Sequence, residues 1–229
     1  RVSAQMKAVL DKSAELAPDA YATDAGLDQQ RQAYRRERRW WNEGGPTMAQ
    51  TIDAQVPTPH GPVAIRCHLP RTGEVLPVVL YVHGGGWVVG DLDTHDRIMR
   101  VLAEQSGAAV VGIDYALSPE AKFPVAIEQC AAVARHLREA GADYQVDGSR
   151  LALAGDSGGA AMCLATTLWL RDRADAGEPG VDIVGLVLYY GMYGLRDSGS
   201  RRLLGGPGDR LTEADLAYYL HRYPADPAH

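Results

Sequence analysis

Gly155-Asp156-Ser157-Gly158-Gly159 follows the apolar run Arg150-Leu151-Ala152-Leu153-Ala154 and opens a helix-like stretch from Ala160 to Arg171. An apolar run, a serine between glycines and then a helix together predict a strained strand-to-helix turn, in which side chains in place of the glycines would collide with the neighbouring strand or helix. Such a bend lifts the Ser157 hydroxyl clear of a sheet. It also sets the hydroxyl at a helix N-terminus, where unpaired N–H groups favour developing negative charge. Ser157 is therefore the candidate nucleophile, and the turn reads as a nucleophile elbow.

With 25 glycines and eight serines in 229 residues, a G-x-S-x-G pattern arises by chance in roughly one such chain in ten. A second element separates this turn from an ordinary glycine-rich connection. Pro77-Val78-Val79-Leu80-Tyr81-Val82 is a strand-like apolar run that ends in His83-Gly84-Gly85-Gly86-Trp87. Three glycines straight after a buried strand leave backbone N–H groups bare and open to close approach. This is the H-G-G-G pattern that supplies donors to the oxygen of a tetrahedral intermediate in lipases and esterases.

Composition excludes several alternatives. The chain has 46% hydrophobic and 23% charged residues, enough for one good core, and a net charge of -6. That charge argues against a nucleic-acid partner, which needs a basic surface. The one basic cluster, Arg35-Arg36-Glu37-Arg38-Arg39, is expected to be a solvated helix face carrying its own glutamate. Cys67, Cys130 and Cys163 are odd in number, far apart and set in apolar runs, which predicts buried free thiols, with neither disulfide nor metal site. No stretch is apolar enough to span a bilayer and no signal-peptide pattern is visible, so a cytoplasmic protein without a membrane partner is expected.

Along the chain, residues 2–16 and 27–41 are expected to be helices, with Val2, Met6, Val9, Leu10 and Leu16 along one face of the first. Residues 51–56 and 62–69 predict a hairpin around Pro57-Thr58-Pro59-His60-Gly61-Pro62, with Val63, Ile65 and Cys67 on one side. After the 77–82 strand come a helix at 94–105, a strand at 108–114, a helix at 124–140, a strand at 150–154, the elbow helix and a strand at 183–190. Alternating strands and helices imply parallel strands with helices on both faces and reactive loops at the strands' carboxyl ends. Both glycine motifs fall at such ends.

The motifs together resemble the hormone-sensitive-lipase-like branch of the α/β-hydrolases, close to bacterial acetyl esterases. The resemblance rests on His83 to Trp87 continuing into Gly90-Asp91-Leu92-Asp93-Thr94-His95-Asp96, on Asp114 to Glu120 with Phe123-Pro124, on the elbow, and on Tyr190 to Ser198 with Arg201 to Gly206. It implies an α/β-hydrolase fold: a mostly parallel central sheet with helices on both faces and a helical cap. One domain is expected over 1–229, with cap helices in 1–45, the core in 46–194 and a cap segment in 195–229. The elbow departs from the family's G-D-S-A-G-G in having Gly158 for the alanine and Ala160 for the last glycine.

The resemblance implies a serine carboxylesterase acting on short acyl esters, acetyl above all, with no cofactor and no metal. Its partner would be a small-molecule ester, and a homodimer is left open. Ser157 would attack the carbonyl. The oxyanion hole is assigned to His83, Gly84, Gly85 and Gly158, with the donors on the glycines and His83 holding their loop; Trp87 is set in the substrate pocket or in plain packing. Asp156, next to the nucleophile, is expected either to tune the site electrostatically or to bond the backbone that follows it, and Asp114 to Glu120 to brace the elbow. The family order is Ser, acid, His. Past Ser157 the histidines are His221 and His229, and the acids Asp197, Asp209, Asp215 and Asp226 lie in a lid-like region. The triad acid and histidine, with the last strands, are therefore expected beyond residue 229. The alternative is a non-catalytic ligand binder of the same fold, a role a hormone receptor in this family fills without a working triad.

Overall fold

The computed structural model describes residues 3–193, 199 and 211–224. Six strands form one sheet in the order β1-β2-β4-β3-β5-β6. They are β1 (Gln50–Val56), β2 (Val63–Leu69), β3 (Leu76–Val82), β4 (Ala109–Ile113), β5 (Val146–Asp156) and β6 (Ile183–Tyr189). β3 pairs in parallel with β4 and β5, and β5 in parallel with β6, while β1 and β2 run antiparallel at the other edge. The expected hairpin is present, with Ile52 opposite Cys67 and Ala54 opposite Ile65.

Strand alternation sorts the core onto two faces. Val78, Leu80, Val82, Leu151 and Leu153 face α4 (Val125–Ala140) and α5 (Gly158–Asp175), where Ile127, Cys130, Leu137, Met162 and Cys163 complete the packing. Tyr81, Val110 and Ala154 face the other way, onto Leu92, Met99 and Ala103 around α3 (Asp96–Ser106). Burying each such aliphatic side chain contributes roughly 1.5–3 kcal/mol. The three cysteines are buried and free, as expected.

Two features of the helices α1 (Ala4–Leu16) and α2 (Leu27–Trp41) correct the sequence expectation. On α1, Met6 and Val9 are exposed and Ser13 is buried. On α2 the buried stripe is Gln30, Ala33, Tyr34 and Glu37, a helical i, i+3, i+4, i+7 set. Glu37 is thus not part of a solvated face: it is 1% exposed and accepts hydrogen bonds from Ser13 Oγ at 2.8 Å and Trp41 Nε1 at 2.7 Å. The neighbouring arginines are largely neutralised, Arg35 by Asp91 and Arg36 by Asp19.

α2 and α6 (Glu213–Arg222) cover the loop that leaves the carboxyl end of β3. Arg31 of α2 donates to the Val88 carbonyl and, through both terminal nitrogens, to Glu120. α6 starts on a reciprocal cap between Thr212 and Asp215, and Tyr218 reaches back to Gln30 with a 2.7 Å hydrogen bond. Among the described residues no helix is long and apolar enough to cross a membrane.

Candidate active site

Ser157 stands where β5 gives way to α5, at φ 51° and ψ -120°. An L-residue rarely adopts this conformation, and holding it costs of order 1–3 kcal/mol. The glycines explain how the bend is accommodated. A Cβ at Gly155 would meet the Val82 carbonyl oxygen at 2.6 Å, and one at Gly159 would strike the Val82 and His83 carbonyls. The Ser157 N–H is tied at 2.9 Å to the Tyr189 carbonyl at the end of β6. The residue is therefore fixed between two strands.

The His83 to Trp87 loop lies against this turn. His83 is buried, its Nδ1–H donating to the Gly84 carbonyl at 2.9 Å and its own carbonyl accepting from Tyr115 Oη at 2.8 Å. Its ring stacks on Tyr115, centroids 4.3 Å apart. Burial, with His95 beside it, pushes the His83 imidazole down to about 4. A neutral ring locked in this way holds the loop.

The glycines differ in how their N–H groups are used. Gly84 N–H donates at 2.9 Å to Asp156 Oδ1. That hydrogen bond removes Gly84 from the donors free to meet an oxyanion, contrary to the sequence expectation. Among the described residues, the N–H groups of Gly85, Gly86 and Gly158 donate to no protein acceptor. Gly158 opens α5, so its N–H is one of the unpaired first-turn donors. A Cβ on Gly86 would run into the Tyr219 ring of α6, which lies directly over the loop.

Trp87 is 3% exposed, with φ 65°. Its ring stacks on Tyr223, and its indole edge lies 3.2 Å from where a Gly158 Cβ would project. Asp156 also departs from expectation: in place of the following backbone it bonds Gly84, 72 positions upstream, and Tyr81 Oη. The Asp114 to Glu120 stretch braces the His83 to Trp87 loop more directly than the elbow, through Tyr115 on His83 and a 2.8 Å bond from Ser118 N to the Trp87 carbonyl.

Among the described residues, no imidazole or carboxylate hydrogen-bonds the Ser157 hydroxyl, and no His, Cys, Asp and Glu cluster could hold a metal ion. His221 is exposed on α6, its carbonyl near Lys122. Asp197, Asp209, Asp226, His229 and the Arg201 to Gly206 motif lie outside the described residues.

Comparison with known proteins agrees with this geometry. Residues 79–229 match the family model described as alpha/beta hydrolase fold. A hyperthermophilic esterase from the archaeon Pyrobaculum calidifontis superposes with a TM-score of 0.87 at 31% identity, over 99% of this chain and 72% of that one. An ester hydrolase from the Lake Arreo metagenome, solved with a bipyridine phosphonate derivative, gives 0.83 at 29% identity, over 99% and 71%. A thermostable esterase from Pseudomonas putida gives 0.79 at 28% identity, over 89% and 62%. The chain belongs to the alpha/beta-hydrolase-fold family and is related to archaeal and bacterial esterases.

Proposed function

We propose that the protein is a serine carboxylesterase that hydrolyses short-chain acyl esters, acetyl esters foremost, through an acyl-enzyme on Ser157. The observation that carries this reading is a strained serine at a strand-to-helix turn, packed against a glycine loop, with the N–H groups of Gly85 and Gly86 in that loop and of Gly158 in the turn unengaged among the described residues. Ser157 Oγ attacks the ester carbonyl carbon, and those N–H groups receive the resulting oxyanion. A histidine takes the serine proton and returns it to the leaving alcohol. Water then releases the acid in a second passage through the same oxyanion. Each such donor is worth about 10²- to 10³-fold in turnover.

Size selection would come from the aromatic side chains crowded against the oxyanion loop, Trp87, Tyr219 and Tyr223. The three related proteins described above are esterases or ester hydrolases, which supports the reaction class. Membership of the hormone-sensitive-lipase-like branch, a cap built from residues 1–45 and 195–229, and a cytoplasmic location belong to the same proposal. An acyl-length series of aryl esters on the full-length protein tests it: kcat/KM should be highest for acetyl to butyryl and fall steeply by octanoyl. A maximum at long chains would contradict the pocket assignment. Saturable ester binding without turnover would favour the ligand binder.

A further inference from the structure

We infer that Asp156 is a positioning residue that sets the distance between the two halves of the oxyanion hole, by latching the first glycine of the His83 to Trp87 loop to the residue next to Ser157. The inference deepens the esterase reading and rests on it.

Asp156 is 5% exposed and draws its partners from separate elements. Oδ1 accepts from Gly84 N–H at 2.9 Å, at the end of β3, and from Tyr81 Oη at 2.8 Å, within β3. Oδ2 accepts from Tyr190 Oη at 3.4 Å, just past β6. His95 Nε2, in the 3-10 turn Asp93–His95, faces Oδ1 at 3.6 Å, as an electrostatic neighbour and not a hydrogen bond. Gly84 must be glycine for this approach, since a Cβ there would strike the Asp156 carboxylate.

The consequence is geometric. Gly158 belongs to the elbow, whereas Gly85 and Gly86 belong to a loop from another strand. A hydrogen-bonded connection between the two runs from Ser157 to Asp156, across one hydrogen bond to Gly84, and on to Gly85. A shift of that latch would move Gly85 and Gly86 relative to Gly158 and so change how their N–H groups align on a shared oxyanion. Donor alignment matters in the transition state, where the charge is on oxygen, more than in ground-state binding.

Two other roles fit the geometry less well. A helix cap would bond the N–H groups of α5, and Asp156 bonds none of them. A general base would need a free oxygen toward Ser157, but both oxygens of Asp156 accept from donors elsewhere. Burial works against the charge, yet His95, Tyr81 and Gly84 outweigh it and hold the carboxyl well below the usual range.

The test compares Asp156→Ala with Asp156→Asn in the full-length protein, using aryl acetate kinetics alongside Ser157→Ala. Asparagine keeps an Oδ1 that can accept from Gly84 and Tyr81, while alanine removes it. Asp156→Ala should lose about 10²-fold in kcat with KM within a factor of about three, and Asp156→Asn should recover most of that loss, to within about tenfold of wild type. Equal loss in both variants, a loss seen in KM alone, or no loss in the alanine variant would overturn the latch. Should Asp156→Ala fail to fold, Tyr81→Phe loosens the same oxygen more gently; a severalfold fall in kcat at constant KM supports the latch, and unchanged kcat contradicts it. Turnover that vanishes in Ser157→Ala while Asp156→Ala is unaffected would refute this inference alone. Absence of turnover in the wild type, or its persistence in Ser157→Ala, would refute the esterase reading and the latch with it.

Discussion

Trp87 of the glycine-rich His83 to Trp87 loop and Tyr223 at the end of α6 lie face to face, ring centroids 4.3 Å apart and planes 13° from parallel. Phe123 meets the same tyrosine edge-on at 5.9 Å, and its N–H donates to the Tyr223 carbonyl at 2.9 Å. A helix from late in the chain is thereby fastened onto residues next to Ser157. Tyr223→Ala should cost about 3 kcal/mol, whereas Tyr223→Phe keeps the stack and should stay within about 1 kcal/mol. Urea unfolding of the two variants checks this. Equal midpoints for Tyr223→Ala and wild type would mean that the stack contributes nothing.

The elbow glycines should separate sharply under substitution by alanine. A methyl at Gly159 has only the Val82 and His83 carbonyls to push against, which are backbone and cannot move away. Gly159→Ala should therefore cost more than about 3 kcal/mol or prevent folding. At Gly158 the methyl would meet the Trp87 ring at 3.2 Å, a side chain that can give by a few tenths of an ångström. Gly158→Ala should change stability by no more than about 1 kcal/mol and keep esterase turnover, because the donor is main chain. Thermal unfolding and aryl acetate assays of both variants decide it; a tolerant Gly159 would contradict the packing described here.

The placement of both glycine motifs was legible from sequence, since each follows an apolar run whose alternation the sheet preserves. Helix α2 runs over the expected 27–41, whereas β5 begins at Val146, four residues before its apolar run. Gly148 and Ser149 interrupt the pattern there, and a register shift between Pro77 and Val78 accommodates them. Glu37 was misread because a charged cluster hides a helical stripe when its charge is read without its spacing. The Gly84 to Asp156 bond had no sequence signal, joining residues 72 positions apart through a carboxylate whose partners only the fold selects. His95 and Tyr81 have no such signal for the same reason, since each acts through a neighbour on another element, whereas Tyr115 lies in the stretch expected to brace the elbow and supports His83 instead.

His83 gives a pH signature. Its imidazole is pushed down to about 4 in the folded protein from 6.5 unfolded, so between those values the unfolded chain binds more protons. Stability from this group is therefore fully present above about pH 6.5 and is lost as pH falls through 4, by on the order of 3 kcal/mol. Comparing unfolding free energies at pH 7 and pH 4 for wild type and His83→Gln isolates the effect. The wild type should lose more than the variant by about that amount. Equal losses would show that His83 is not a buried neutral ring.

The central claim is that Ser157 is the nucleophile, and covalent labelling by an aryl phosphonate ester tests it most directly. Attack by serine on phosphorus expels the aryl alcohol and leaves a stable tetrahedral adduct in the same oxyanion hole. Intact mass and peptide mapping of the full-length protein should find one phosphonyl group per chain, on the peptide carrying Ser157, with aryl acetate turnover lost in step. Ser157→Ala, folded by circular dichroism, should take up no label and hydrolyse no ester. A label on another residue, or turnover surviving in Ser157→Ala, would contradict the assignment.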